Sequence, residues 1–252
     1  MDKNRLDEIL KSLYDRTTSP QQASELLRNL PFEDLGFAKV DHHRALRKGF
    51  PEVIFCQSKT PEQVVAIVQS QLNHDETVFG TRACSEVIQA VKKACPQVEC
   101  NESVGCFWKK SSSWKPKERV RGEVLVCSAG TSDCSVAAEA RVTLDVLGHP
   151  CNFVDDVGVA GIHRLFAHKE LLENASVIIV VAGMEGALPS VVTGLVSCPV
   201  IGVPTSVGYG SHLNGLVPLF AMLNSCSSGL TVVNIDNGFG AGCAAAAMNS
   251  LD

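Results

Sequence analysis

Five short, almost wholly apolar runs recur from residue 121 onward, at 124–127, 151–154, 177–181, 200–203 and 231–235. Each runs into a loop of small residues and then a helical segment, near 133–147, 162–173, 187–196, 213–224 and 240–250. A strand that is apolar at every position, not at every second one, has both faces covered, as a parallel strand between two helix layers does. The pattern predicts an α/β fold over 121–252, a doubly wound parallel five-stranded sheet. In such a sheet ligands bind outside the carboxyl ends of the strands, beside the point where strand order reverses. Four loops should then meet on one face: 128–133, 183–189, 205–215 and 236–242.

Residues 1–120 follow another rule and predict a smaller α+β domain with a helical start. Leu6, Ile9, Leu10 and Leu13 share one face of a helix over 5–13. Ser19-Pro20-Gln21-Gln22 reads as a capping box with proline at the first helical position, opening a helix through Leu30. Thr60-Pro61-Glu62-Gln63 repeats the device ahead of the stripe Val64, Val65, Ile67, Val68 and Leu72. Residues 53–56 read as a strand, and 95–119 as a loop or edge hairpin before a boundary near Val120.

Composition narrows the function classes. With 45% hydrophobic and 19% charged residues the 252-residue chain is not disordered, and a net charge of −5 argues against a broad nucleic-acid-binding surface. The charge is uneven: residues 1–120 carry net +2, residues 121–252 net −7, and no Lys or Arg follows Lys169. An anion held by the second half must therefore meet backbone N–H groups, helix N-termini, a metal or another chain. Residues 186–235 contain no Asp, Glu, Lys or Arg, yet Pro189, Pro199, Pro204 and Pro218 cut them into pieces too short to span a membrane. The eleven cysteines are odd in number, lack any Cys-x-x-Cys and follow no apolar leader. That predicts a reduced, cytoplasmic protein with mostly buried thiols.

Several positions can carry chemistry. Ser128-Ala129-Gly130-Thr131-Ser132-Asp133, at the first strand-to-helix turn, either presents hydroxyl and N–H groups to a phosphate or simply caps the helix. Glu185, between Gly183 and Gly186, is the sole acid between Glu173 and Asp236. At the mouth of a buried strand it is expected to have a raised pKa and to move a proton, against the alternative of an exposed loop glutamate. His212 can hydrogen-bond a phosphate, transfer a proton or cap a helix. The 236–242 run resembles an anion-binding glycine loop, and Asp155-Asp156 either binds Mg²⁺ or caps the next helix. For a thiol nucleophile, position favours Cys127, Cys134 or Cys243. Cys226 follows the fourth helix, at the wrong end of its own sheet. Arg44, Arg47, Lys48 and Lys59 form the densest basic cluster, the best source of phosphate ligands within the chain.

Three strings make the chain recognisable. They are His43-Arg44 through Arg47-Lys48-Gly49-Phe50-Pro51-Glu52-Val53-Ile54-Phe55, then Ala182-Gly183-Met184-Glu185-Gly186-Ala187-Leu188-Pro189-Ser190-Val191, and Val233-Asn234-Ile235-Asp236-Asn237-Gly238-Phe239-Gly240. Together they resemble the LarB family over nearly the whole chain after about residue 38. The C-terminal part is similar to the phosphoribosylaminoimidazole carboxylases, with their flavodoxin-like sheet. Ser58 stands where glycine is expected and Cys243 where an aromatic is common, while residues 95–117 match nothing recognisable.

The resemblance implies an enzyme that carboxylates C5 of the pyridinium ring of nicotinic acid adenine dinucleotide. It also implies cleavage of the phosphoanhydride, giving pyridinium-3,5-biscarboxylic acid mononucleotide and AMP, the first step toward the nickel-pincer nucleotide. CO₂ or bicarbonate is the co-substrate, and neither biotin nor ATP is expected. The family's nucleophile maps to Cys226, against the positional ranking, so a neighbouring subunit of a homo-oligomer, an octamer by resemblance, would deliver it. Glu185 becomes the C5 base. Asp133 joins the catalytic group and carries Mg²⁺, while Ser128, Thr131, Ser132, Gly208, His212, Asn237 and Gly238 hold the nucleotide with Arg44 and Lys59. An aminoimidazole ribonucleotide carboxylase and a non-catalytic dinucleotide-binding module are the competing readings.

Overall fold

The structure is a computed structural model that describes residues 3–27, 32–45 and 49–251. Arg47, Lys48 and the last residues of the helix expected to reach Leu30 lie outside them. The chain divides into two compact units, Met1–Lys115 and Pro116–Asp252.

The first unit opens with two helices, α1 (Lys3–Tyr14) and α2 (Pro20–Leu27), the second entered through a reciprocal Ser19–Gln22 capping box. A two-strand hairpin follows, β1 (Glu33–Asp34) against β2 (Lys39–Val40). The rest is a four-stranded sheet in the order β3 (Ile54–Phe55), β4 (Val78–Thr81), β6 (Cys106–Lys109), β5 (Glu99–Asn101), carrying α3 (Pro61–Asn73) and α4 (Ser85–Ala94). The Thr60–Gln63 capping box opens α3, whose Val64, Ile67 and Val68 pack with Val87, Ile88, Val91 and Phe107. The segment from 95 onward does hold a hairpin, but only β5 is an edge, because β6 also pairs with β4.

The second unit is the expected parallel sheet. Its strands β7 (Val124–Ser128), β8 (Cys151–Val154), β9 (Val177–Ala182), β10 (Val200–Pro204) and β11 (Leu230–Val232) run in the order β11-β10-β9-β7-β8, all parallel. Residues alternate between two cores. Val124, Val126, Ile179 and Val181 face α5 (Cys134–Val146) and α10 (Gly238–Asn249). Leu125, Cys127, Ile178 and Val180 pack with Leu165, Leu172, Val192 and Met222, from α6 (His163–Phe166), α7 (Lys169–Asn174), α8 (Leu188–Thr193) and α9 (Leu216–Leu223). Every residue of β9 is buried. Strand order reverses between β7 and β9, so the crevice a ligand should use opens beyond Ser128 and Ala182. Among the described residues, no helix is long and apolar enough to cross a membrane.

Candidate active site

The loops beyond β7, β9, β10 and β11 meet as expected, and Asp133 is their hub. A short 3₁₀ turn over Thr131–Asp133 leads into α5 and turns the Asp133 carboxylate inward, leaving it 5% exposed. Its Oδ1 accepts the Thr205 hydroxyl at 2.7 Å and its Oδ2 the Gly130 N–H at 3.0 Å, with the Gly183 N–H a further backbone donor. Burial nonetheless outweighs these donors, helped by the charge of Asp236, and pushes the carboxyl above its ordinary range. Among the strand-end loops, Asp133 is thus a carboxylate whose proton affinity the fold raises. Glu185 is exposed rather than enclosed at the mouth of β9.

Further bonds tie the loops together. The Met184 N–H donates to the Val207 carbonyl at 3.0 Å, the Ser206 N–H to Asp236 Oδ1 at 2.7 Å, and the Asp236 N–H to the Pro204 carbonyl at 2.8 Å. Gly183 must be glycine, since a Cβ there would lie 2.3 Å from the Val207 carbonyl oxygen and 2.7 Å from Thr205 Oγ1. Glu185 stands on a tight turn between Met184 at φ +50° and Gly186 at φ +65°, with Gly186 pressed against Pro218 at the start of α9.

His212 is 7% exposed. Its Nδ1 accepts the Gly215 N–H at 3.3 Å, which fixes the proton on Nε2, and Nε2 meets no hydrogen-bond partner among the described residues. A buried N–H donor at a strand-end face suits a ligand carboxylate or phosphate. Gly208 lets this ring in, because a Cβ at 208 would lie 2.2 Å from His212 Cδ2.

Other expected ligand groups are used by the fold itself. Ser128 is fully buried; its Oγ accepts the Asp156 N–H at 3.4 Å and lies 3.5 Å from Cys134 Sγ, so its hydroxyl braces β7 and does not face a phosphate. Asn237 caps α10 by accepting the Gly240 N–H at 2.7 Å, and Glu139 Oε2 accepts the Phe239 N–H at 3.1 Å. The glycine loop thus spends these first-turn donors internally. Gly238 serves packing, since a Cβ would lie 2.1 Å from the Val136 carbonyl oxygen. Thr131 and Ser132 do remain exposed at the entrance to α5. Lys59 Nζ donates to the Phe55 carbonyl at 2.6 Å and Arg44 lies over the Phe50 ring at 5.2 Å, both within the first unit.

The donor set around Asp133 does not fit Mg²⁺. An ion of that kind needs open carboxylate oxygens and room for its waters, whereas both oxygens of Asp133 are buried and take up hydroxyl and N–H donors. Asp156 instead pairs with Arg164 in α6. Sequence reasoning passed over both Arg164 and Thr205. The first is a guanidinium at the strand-end face that Gly161-Ile162-His163-Arg164 signals only weakly, and the second had no signal beyond a hydroxyl after a strand.

The thiols sort by burial. Cys127 is fully buried, which pushes its thiol up to about 12, and the Cys134 thiol faces the Gly130 carbonyl at 3.7 Å. Cys243 is half-buried, whereas Cys226 is exposed. Its turn, between α9 and β11, is pinned to α8, where Ser190 Oγ donates to Ser225 Oγ at 2.8 Å and Ser227 Oγ donates to the Ser190 carbonyl at 3.0 Å. Chain order places Cys226 ahead of its strand, while the Asp133 loops lie beyond theirs. Among the described residues, no hydrogen bond or packing contact brings it to them.

Comparison with known proteins completes the assignment. Residues 32–111 match a family described as the LarB/PurE-like N-terminal domain, which takes in most of the 95–117 segment, and residues 123–252 match AIR carboxylase. An uncharacterized protein of Methanocaldococcus jannaschii is 41% identical over 211 residues, spanning 81% of this chain and 80% of the relative. With the strand order and strand-end loops above, these matches make the chain a member of the LarB family of carboxylase-type proteins, its second unit an AIR carboxylase domain.

Proposed function

We propose that the protein carboxylates C5 of the pyridinium ring of nicotinic acid adenine dinucleotide and hydrolyses its phosphoanhydride, releasing AMP and pyridinium-3,5-biscarboxylic acid mononucleotide. The observation that carries this reading is the union of a LarB N-terminal domain with an AIR carboxylase domain in one chain. A purine carboxylase would not need the first of them.

A pyridinium carbon is too electron-poor to attack CO₂. The Cys226 thiolate adds at C4, its electron pair forming a C–S bond while the ring loses its positive charge and becomes a dihydropyridine. The enamine-like C5 then forms a C–C bond to CO₂. Glu185 takes the C5 proton, that C–H pair re-forms the aromatic ring, and the C–S bond breaks to return the thiolate. Glu185 suits the step because it is exposed on the tight turn beyond β9. His212 Nε2–H, Thr131, Ser132 and Arg164 orient the anionic groups, and Asp133 holds the loops in place. No step is assigned to a Mg²⁺ on Asp133.

This scheme needs Cys226 from a second copy of the chain. Support comes from α9 and the turn before it, where Tyr209, Leu213, Leu216, Phe220 and Leu223 are exposed, the last three at helical spacing on the helix that leads into the Cys226 turn. An apolar stripe of this kind marks an interface. A homo-oligomer that covers it would carry Cys226 to a neighbouring strand-end face.

The test is mass spectrometry of products after incubation with the dinucleotide, Mg²⁺ and ¹³C-bicarbonate. The intact chain should yield AMP and a mononucleotide with one labelled carboxylate, and Cys226→Ala, exposed and so folded as before, should yield neither. Turnover of aminoimidazole ribonucleotide without reaction on the dinucleotide would replace this reading with the purine one.

A further inference from the structure

A second cluster, within the first unit, is built from Glu33 on β1, His42 just after β2, and His74 at the end of α3. One ligand-capable atom from each lies within 4.8 Å of the others. Glu33 Oε2 and His42 Nε2 are 3.3 Å apart. Two donors on a tetrahedral ion, with bonds of about 2.0–2.2 Å, stand about 3.3–3.5 Å apart, so this edge of a coordination shell already has its length. The imidazole centroids of His42 and His74 are 4.0 Å apart, with the rings tilted by 33°.

The groups behind these residues are those that orient metal ligands. His74 Nδ1 donates to the Ser70 carbonyl at 2.9 Å, a tautomer that puts the lone pair on Nε2. His42 Nδ1 faces Glu76 Oε2 at 3.1 Å, with Glu76 itself buried. The Ser70 hydroxyl donates to Glu33 Oε2. A histidine that hands its second nitrogen to a carboxylate or a carbonyl is the usual outer shell of a metal site. His42 is 3% exposed and lies between two carboxylates, so some cation belongs there: an imidazolium proton or a metal ion.

We propose that Glu33, His42 and His74 bind a divalent transition ion of the zinc class, with Glu76 and the Ser70 carbonyl as outer-shell supports and water at the fourth position. Two imidazoles and one carboxylate suit Zn²⁺ or Co²⁺, and lack both the all-oxygen shell of Mg²⁺ or Ca²⁺ and the thiolates of a Cu⁺ site. Binding displaces the His42 Nε2 proton to solvent and leaves oxidation states unchanged. The ion would tie the β1–β2 hairpin to the end of α3. None of its residues belongs to the strand-end loops, and its test does not depend on the carboxylase reading.

The experiment uses the full chain, stripped with chelator, exchanged into metal-free buffer and titrated with Co²⁺ and then Zn²⁺. Wild type should take up one equivalent more than His74→Gln or Glu33→Gln, giving tetrahedral Co²⁺ bands at about 500–650 nm without thiolate charge transfer. Glu76→Gln should keep the stoichiometry with affinity about 10–100-fold weaker. Glu33→Gln, on a half-exposed side chain, keeps the comparison valid if His74→Gln fails to fold. Equal uptake by wild type and variants, a thiolate spectrum for the extra equivalent, or no uptake at all would overturn the proposal and leave His42 a buried imidazolium.

Discussion

Replacing Thr205 with valine removes one hydroxyl from a fully buried position and keeps its shape. Its long 3.4 Å bond from the Val207 N–H goes too, equally at every pH. The pH-dependent loss is the 2.7 Å donation to Asp133 Oδ1, a charge-assisted bond when Asp133 is ionised and an ordinary one when it is protonated. Such bonds are worth about 1.5–3 kcal/mol and about 0.5–1.5 kcal/mol respectively. Asp133 binds its proton more tightly in the folded chain, so its contribution to stability is whole below its ordinary 3.8 and is lost as pH rises through the raised folded value. Thr205→Val moves that folded value higher still and deepens the loss. The stability gap between wild type and variant should therefore be about 1 kcal/mol near pH 4 and about 2–3 kcal/mol near pH 8. Urea midpoints measured across this range read it directly, since a 2 kcal/mol gap displaces a midpoint by roughly 1 M at ordinary slopes. Groups elsewhere titrate alike in both proteins and cancel. A gap that is flat or narrows with rising pH would refute the assignment of Asp133 as the loops' buried carboxylate.

Gly183→Ala should cost about 1–3 kcal/mol and break the Met184–Val207 bond, because its Cβ would sit 2.3 Å from a backbone oxygen; thermal melts and amide exchange at Met184 test this. Asn237→Ala should lower stability by about 1 kcal/mol as a lost helix cap and leave dinucleotide affinity within about twofold, whereas a large affinity loss would restore Asn237 as a ligand. Ser58, at φ +68°, occupies the left-handed region that glycine adopts freely, so Ser58→Gly should stabilise the chain by up to about 1 kcal/mol in denaturant titration.

The parallel sheet was legible because its central strands β9 and β10 are apolar at nearly every position, and the switch-point rule then picked out the face on which the four loops meet. Strand β11 stops at Val232, short of the expected 235, because the chain turns there toward Asp236 at φ +57° to reach Ser206. In the first unit β4 and α4 went unseen. Four residues broken by Gly80 carry little periodicity, and that glycine is explained only by the Phe107 ring, which would lie 2.1 Å from a Cβ. Within the site, sequence separates what the fold joins: Asp133 and Thr205 are 72 residues apart, and neither neighbourhood announces the other. Short patterns say less about role, since Ser128, Asn237 and Gly238 look like ligand groups in sequence and act in the fold as brace, cap and packing gap.

Burial of the thiols also imposes an order of reactivity. An alkylating or oxidising reagent attacks the thiolate, and a thiol pushed from 9.0 up to about 12, as at Cys56 and Cys127, has about a thousandfold less of it at neutral pH than an ordinary one. Cys151, at about 11, is similarly quiet, whereas Cys84 and Cys226 are exposed. A chain with eleven cysteines therefore behaves toward a brief dose of electrophile as one with very few. The sulfur the proposed chemistry needs is among the first that such a reagent would find on the isolated subunit, and mutual coverage by neighbouring copies would shelter it.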